Sequence, residues 1–369
     1  MGLTLQRTIY THSDVQILPT VLASTGVPGG ALLGWGDAFG AAPNLEVTMS
    51  TVQNATFTLN IPRADVNVFG LQGVLDRPQL EAETATLEFG FIPEICASPA
   101  VEATNPAGMN WETANLLIQD SINNSPQYVS VMSANVGAIS SGLMNSFSGE
   151  GSVGALPTFT MSFTGANKDS SNPHNPETAV YPALALMVGG VATAQNAVTT
   201  APVTASALTS KAKIVTPKDI NLKASCITAG ETLLDETVTY AGAGGTPAGT
   251  TGDGDTTIES CAQSVSFAWD VPVETILCLG GDPTKDGIAL GNPPGTASFT
   301  VEALSSQLNT KTASQNYQLL FGHYQFKLAN GNIDSRTHNL AVGDLYGSYN
   351  YVIGGTGDGF EVAKCCVAT

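Results

Sequence analysis

The sequence predicts a mainly β protein made of two tandem, related antiparallel modules of the sandwich or barrel type, each with about one short α-helix. Three observations carry this prediction. Of the 369 residues, 43% are hydrophobic and only 12% are charged, a balance that favours folding over disorder. The 39 Gly, the 20 Pro and the many β-branched residues are typical of short strands joined by turns. The third observation is an internal repeat.

The repeat is clearest when residues 53–62 are aligned with residues 263–272, a shift of 210 positions. Gln, Phe and Pro then coincide, and apolar and polar residues alternate in the same way. Three further matches keep the same order along the chain: residues 14–17 with 219–222, residues 84–89 with 296–301, and residues 153–156 with 342–345. Matches that keep one order over most of a chain indicate a duplicated module.

The duplication divides the chain into three parts. The first module is predicted at residues 1–190, a linker or arm at residues 191–212, and the second module at residues 213–369. The sequence between the modules is rich in Ala, Thr and Val and shows no clear period. Eight repeat positions are predicted to build the cores or to end the strands: Phe57, Leu59, Pro62 and Gly70 in the first module, and Phe267, Trp269, Pro272 and Gly280 in the second.

Alternation of apolar and polar residues predicts strands with one buried face in both modules. These strands are residues 56–61, 80–91 and 128–131 in the first module, and residues 264–271, 296–304 and 324–328 in the second. A helix is predicted over residues 111–122, with Asn110 as its N-cap and with Trp111, Ala114, Leu117 and Ile118 on one face. A weaker pattern places its counterpart at residues 314–321.

The formal net charge is -18, from 13 basic and 31 acidic residues. Such a surface repels nucleic acid and anionic membranes, which excludes a protein that grips DNA. This charge is compatible with a surface along which DNA moves without binding. The alternative explanation is that the acidic residues serve only to keep the protein soluble. Residues 1–14 lack the apolar region of a signal peptide, and the longest apolar stretch is too short to span a bilayer. Synthesis and function in solution are therefore expected.

No pattern predicts a catalytic residue, a cofactor or a metal ion, so the protein is not expected to be an enzyme. The four histidines are scattered, and none has the spacing of a zinc site. The glycine-rich residues 354–359 lack the Lys of a phosphate-binding loop. The six cysteines contain no C-x-x-C pair and are expected to be free thiols, with an approach of Cys226, Cys261 and Cys278 left open.

Two segments, residues 149–165 and 340–355, carry a resemblance to a known family. Each contains a V-G-x-L pattern followed by a strand of alternating large residues, which are Phe159, Met161 and Phe163 in the first and Tyr349, Tyr351 and Ile353 in the second. Together with the duplication, this pattern resembles the major tail tube protein of long-tailed, siphovirus-type bacteriophages, in the form that carries two fused tube modules.

The resemblance implies a virion structural protein that is made in the host bacterial cytoplasm and located in the tail. Six tube modules form a ring in this family, so chains with two modules would form homotrimeric, pseudo-hexameric rings that stack into a tube. Other tail proteins would be partners, no membrane would be involved, and DNA would pass through the lumen during ejection without tight binding. Two alternatives are another virion component, such as a capsid decoration protein, and a β-sandwich adhesin or binding module.

Overall fold

The computed structural model describes residues 15–18, 47–49, 51–67, 69, 73–95, 111–124, 127–131, 137–166, 185–188, 191–194, 213–226, 256–257, 262–281, 287–304, 315–322, 324–340 and 347–364. Within these ranges the protein is mainly β, as the sequence predicts, and contains one α-helix.

The elements follow in chain order. The first half contains β1 (Val15–Leu18), β2 (Val47–Met49), β3 (Val52–Asn60), β4 (Thr84–Phe91), β5 (Glu94–Ile95), α1 (Trp111–Ile122), β6 (Gln127–Val131), β7 (Gly137–Ser152), β8 (Thr158–Ala166), β9 (Ala185–Val188) and β10 (Val191–Ala194). The second half contains β11 (Lys213–Ile214), β12 (Ile220–Cys226), β13 (Thr256–Thr257), β14 (Ala262–Asp270), β15 (Val273–Ile276), β16 (Ile288–Gly291), β17 (Thr296–Ala303), β18 (Gln315–Phe321), β19 (Tyr324–Asn339), β20 (Ser348–Thr356) and β21 (Phe360–Lys364). Short 3-10 turns precede β12 and β21, at Pro217–Asp219 and Gly357–Gly359.

Fifteen of these strands form one sheet. Its centre is a run of eight antiparallel strands in the order β3-β4-β8-β7-β14-β17-β20-β19. The first four strands come from the first predicted module and the last four from the second, so the sheet is continuous across the two halves of the chain. The sheet extends beyond β7 through β6, β1 and β2, and beyond β19 through β18, β12 and β13.

One face of the central strands is apolar and covers a core to which both halves contribute. The core cluster includes Phe89, Phe147 and Phe159 from the first half and Phe267, Phe299 and Phe326 from the second, all at most 1% exposed. Because large aromatic side chains bury the most area per residue, this cluster supplies much of the hydrophobic stabilisation.

Helix α1 has the bounds that the sequence predicts, which confirms that element. Its residues Ala114, Leu117 and Ile118 are fully buried, so the predicted apolar face is the packed face. The side-chain amide oxygen of Asn115 accepts a hydrogen bond from the backbone N–H of Val362 at 3.4 Å, which ties the helix to β21. Asn110, the predicted N-cap, lies outside the described residues.

The second predicted helix, at residues 314–321, is wrong, because this segment is strand β18. Its residues Tyr317, Leu319 and Phe321 are buried at the two-residue spacing of one strand face, and Leu320 on the other face is buried as well. Strands β12 and β19 pair with it on its two sides. A seven-residue segment that mixes Gln and Asn with large apolar residues is compatible with either state, and the two partner strands decide it here.

The predicted core positions of the repeat differ in burial between the halves. Phe267 and Trp269 are 1% exposed, whereas Phe57 is partly buried against the core. Leu59 is 37% exposed, contrary to the expectation of a core residue. The physical reason is its position, since β3 is the last strand of the central run and Leu59 has no described strand beyond it.

The residues predicted to end strands behave as their chemistry requires. Pro62 and Pro272 each lie two residues beyond the last residue of β3 and β14, because a proline cannot donate to the ladder. Gly280 lies in an exposed turn with φ 86°, a conformation that favours glycine. Gly70 lies outside the described residues.

Candidate functional site on the open face of the sheet

The face of the central sheet opposite the core is polar and rich in hydroxyl groups. Side chains of a strand alternate between the two faces, so the residues between the buried ones lie on this open face. They include Thr56, Thr58 and Asn60 on β3; Thr84, Thr86 and Glu88 on β4; Ser146, Ser148 and Glu150 on β7; Thr158 and Thr160 on β8; Ser264, Ser266 and Asp270 on β14; Thr296, Ser298, Thr300 and Glu302 on β17; Asn350 and Val352 on β20; and Ser335, Thr337 and Asn339 on β19. Ser162 of β8 shares this face but is buried.

The cross-strand register aligns these residues into rows. Glu88 lies opposite Thr56 on one side and opposite Ser162 on the other. Glu150 lies opposite Ser266, across the junction between the two halves of the chain. The open face is therefore one continuous surface. Its hydroxyl-rich composition and the antiparallel pairing of its strands continue across the junction between the two halves of the chain.

The charges on the open face of these eight strands are all negative among the residues that the structure describes. They belong to Glu88, Glu150, Asp270, Glu302 and Asp334, whose carboxylate occupies the space that a Cβ atom on Gly354 would fill. The side chain of Glu302 accepts a hydrogen bond from the hydroxyl of Ser264 at 3.2 Å. The basic residues in the same strands are Lys327, which is buried, and Arg336, which lies opposite the buried Tyr351 on the other face. Such a face offers the phosphates of a polyanion no cationic partner, so binding there would release no counterions.

Strands β7 and β14 form the junction between the two halves. In this antiparallel pair Phe267 lies opposite Gly149, and Trp269 lies opposite Phe147. A Cβ atom on Gly149 would overlap the rings of Phe159 and Phe267, so glycine allows these two rings to meet. Beyond the two ends of the pair, the backbone N–H groups of Val153 and Val271 donate to the carbonyl oxygens of Gln263 and Asn145, each at 2.9 Å.

The two sets of four strands share their registers and their irregularities. Phe57 lies opposite Leu87 in β3 and β4, and Phe267 lies opposite Phe299 in β14 and β17, at the offsets of 210 and 212 positions found in the sequence. The register shift between Val52 and Asn54 recurs between Ala262 and Ser264, and the shift between Met144 and Ser146 recurs between Ile333 and Ser335.

The central sheet has two free edges. Among the described strands, β3 pairs only with β4, and the C-terminal part of β19 beyond Ile333 pairs only with β20. Large apolar side chains are exposed there, with Leu59 on β3 at 37% and Leu340, just after β19, at 69%. Unpaired backbone groups beside exposed apolar residues are the features of a strand edge that another chain completes.

Two connections between strands each carry a large apolar residue that is fully exposed. They are Phe69, in the connection from β3 to β4, and Leu279, after β15, which are 107% and 106% exposed. The two residues are 210 positions apart, the same shift as in the repeat. Cys278, also exposed, is a free thiol, whereas the side chains of Cys226 and Cys261 lie outside the described part of the chain.

The core-facing residues near the β19 edge include an unusual buried phenol. Tyr317 is fully buried, and its hydroxyl has no hydrogen-bond partner among the described residues. Burial raises the pKa of this phenol above its usual value, and the nearby positive charge of Arg336 opposes that rise. On the unpaired part of β19, His338 stacks on Tyr349 of β20 with 4.3 Å between ring centroids.

Within the described residues no group of three or more His, Cys, Asp or Glu side chains is arranged to hold a metal ion. In the same ranges no helix is long and apolar enough to cross a membrane. The candidate site is the surface that the open face of the central strands forms. The sequence pattern predicted the core-facing residues of the strands. The residues between them in the same strands lie on the open face, so the same alternation was a signal for that face as well.

No protein-family profile and no curated protein matches this chain. Among solved structures, one match is the tail of an empty gene transfer agent particle with C6 symmetry, at a TM-score of 0.27 and 13% identity over 40% of this chain and 97% of that chain. Another is the virion of a native gene transfer agent particle, at a TM-score of 0.24 and 12% identity over the same shares of the two chains. TM-scores this low establish no shared fold.

Proposed function

We propose that this chain is a structural subunit of a phage tail tube, which forms stacked rings around a channel that conducts DNA to the host during ejection. The open face of the central sheet lines the channel in this proposal, and the apolar face packs inside the wall of the tube.

The observation that carries the proposal is the continuous sheet with two free edges. Strands β7 and β14 already pair two four-stranded sets within one chain, and the sets share registers and bulge positions. These shared features support a duplicated module. The free edge of β19 then corresponds to the paired edge of β7, and the free edge of β3 corresponds to the paired edge of β14. Contacts of this head-to-tail type either close into a ring or propagate as a helix.

A closed ring of six modules needs three chains, each contributing two modules. Such a ring has pseudo-sixfold symmetry, with three junctions inside chains and three between chains. The central strands of all three chains then join around one opening, and the free edges of β3 and β19 are both paired, which protects them from aggregation. Rings would stack through loops at the ends of the strands and through the segment between the modules.

The chemistry of the open face supports the proposed role of the channel. Hydroxyl groups keep the surface hydrated, and its acidic residues repel the phosphates of DNA. A duplex that moves past such a surface meets no site at which it binds tightly. If the acidic residues served only solubility, the face would not need to be continuous across the junction of β7 and β14.

Light scattering after size exclusion, combined with negative-stain microscopy of the purified protein, tests the proposal. Rings with a mass of three chains, or tubes of stacked rings, are expected. A protein that stays monomeric at high concentration, or rings that contain six chains, would contradict it. Particles that attach to the outside of capsids without forming rings would favour a capsid decoration protein instead.

A further inference from the structure

The junction of β7 and β14 provides a template for the contact between chains. Each residue of β7 corresponds to the residue 189 positions later in β19, because both strands have the same register and bulge against β8 and β20. Each residue of β14 corresponds to the residue 210 positions earlier in β3, because both pair in the same register with β4 and β17.

We infer that β19 of one copy pairs antiparallel with β3 of a second copy in a single register, with Thr337 opposite Thr58. This register copies the pairing of Ser148 with Ala268 inside the chain. The inference rests on the proposed ring and deepens it, because it states which residues of the two copies meet.

The same register defines the neighbouring pairs. Arg336 lies opposite Leu59, and His338 lies opposite Phe57, as Phe147 and Gly149 lie opposite Trp269 and Phe267 inside the chain. A second set of pairs falls on the open face and at the edge of the core, namely Ser335 with Asn60, Asn339 with Thr56, and Leu340 with Ala55.

The side chains on the two faces suit this register. On the core face, pairing covers the exposed Leu59 and Leu340. The ring of Phe57 then meets His338, which already stacks on Tyr349. On the open face, Thr, Ser and Asn side chains meet one another, which continues the hydroxyl-rich surface across the junction. A slip by one residue would turn all of these side chains to the wrong face.

The geometry of the template makes the register accessible to disulfide trapping. The hydrogen bonds from Val153 to Gln263 and from Val271 to Asn145 show that the pair Ser148 and Ala268 is of the non-hydrogen-bonded kind. In such pairs the Cα atoms are about 4.5 Å apart, which lies within the range that a disulfide spans. The pair Thr58 and Thr337 is therefore the position at which cysteines should join two chains.

The experiment mixes two singly substituted chains, Thr58→Cys and Thr337→Cys, under mild oxidation with oxidised glutathione. The expected product is a covalent dimer in which mass spectrometry finds residues 58 and 337 linked, and this bond can arise only between chains. The matched control mixes Thr58→Cys with Ser335→Cys, which lies two positions away on the same face, and should give little of this product. The variant Ser148→Cys with Ala268→Cys should form the equivalent bond within one chain, which verifies the template geometry.

The outcomes separate the register from the proposed function. Rings or tubes with the 58–337 bond support both. In a second outcome, rings or tubes form while the cysteine at 58 reacts with the one at 335 and not with the one at 337. That result overturns the inferred register and leaves the proposed function standing. A protein that neither assembles nor forms a bond between chains overturns both.

A charge substitution tests a second pair of the same register without cysteines. Leu59→Lys places two cations opposite each other because Arg336 faces this position, whereas Leu59→Glu places an anion there. The lysine variant should need a roughly tenfold or more higher concentration for half-assembly than the glutamate variant. Adding Arg336→Glu to the lysine variant should restore assembly. Equal effects of the two Leu59 substitutions would contradict the register.

Discussion

The ring of Phe147 lies edge-on against the ring of Phe267, with 5.0 Å between the ring centroids and 80° between the ring planes. Phe147 belongs to β7 in the first half of the chain, and Phe267 belongs to β14 in the second. Both rings are buried in a core cluster to which the two halves contribute. The halves therefore stabilise each other through shared hydrophobic packing as well as through the ladder between these strands.

Replacing Phe147 with Ala should lower the free energy of unfolding by about 3–5 kcal/mol, because it opens a cavity in the shared core. Urea unfolding followed by circular dichroism and by tryptophan fluorescence measures this loss. Both signals should shift together. The matched control is Phe69→Ala, which removes a fully exposed ring and should change the free energy by less than about 0.5 kcal/mol. Two separate transitions in the wild type would contradict the shared core.

Replacing Gly149 with Val should destabilise the protein by roughly 1–3 kcal/mol, because the new side chain would overlap the rings of Phe159 and Phe267. The control Ser148→Val adds similar bulk at the neighbouring position, which faces the open side of the sheet. That change should be close to neutral in the same urea measurement. If the two variants unfold at the same urea concentration, the close ring contact across the junction is not important for stability.

Replacing Tyr317 with Phe should raise the free energy of unfolding by about 1 kcal/mol at neutral pH, because it removes a buried hydroxyl that has no partner among the described residues. The same substitution should change the response to alkali. Burial raises the pKa of Tyr317 in the folded state above its unfolded value of 10.0, so this group's contribution to stability is complete below pH 10 and is lost as the pH rises through the raised pKa. Between pH 9 and about 11.5, the free energy of unfolding should therefore fall less steeply with pH for the variant than for the wild type. An equal decline would contradict the prediction.

The wild-type protein should not bind duplex DNA tightly, because its acidic face contributes no release of counterions. Replacing Glu88 and Glu150 together with Lys should produce measurable, salt-dependent binding in a filter assay on assembled rings. The control with Gln at both positions removes the charge without reversing it and should bind much less. Sub-micromolar binding by the wild type at low salt would contradict the proposed role of the open face.

Much of the secondary structure could be predicted from local patterns. The strands around Phe57 and Phe267 follow from alternation, which reports the burial of one face whatever the partner strand is. Helix α1 follows from its apolar spacing over three turns. Residues 314–321 could not be assigned in this way, because a short segment of mixed polarity fits a strand or a helix and its partners β12 and β19 decide between them.

The sequence by itself determined the alternation that separates an apolar face from an acidic, hydroxyl-rich one, because each strand records the polarity of its own two faces. Only the tertiary structure decided which strands lie side by side. Backbone hydrogen-bonding groups are the same in every strand, so residues 146–152 by themselves do not specify β14 as their partner strand. The exposure of Leu59 and the burial of Trp269, two residues 210 positions apart, have the same origin: among the described strands, β14 has a neighbour on each side, and β3 has only one.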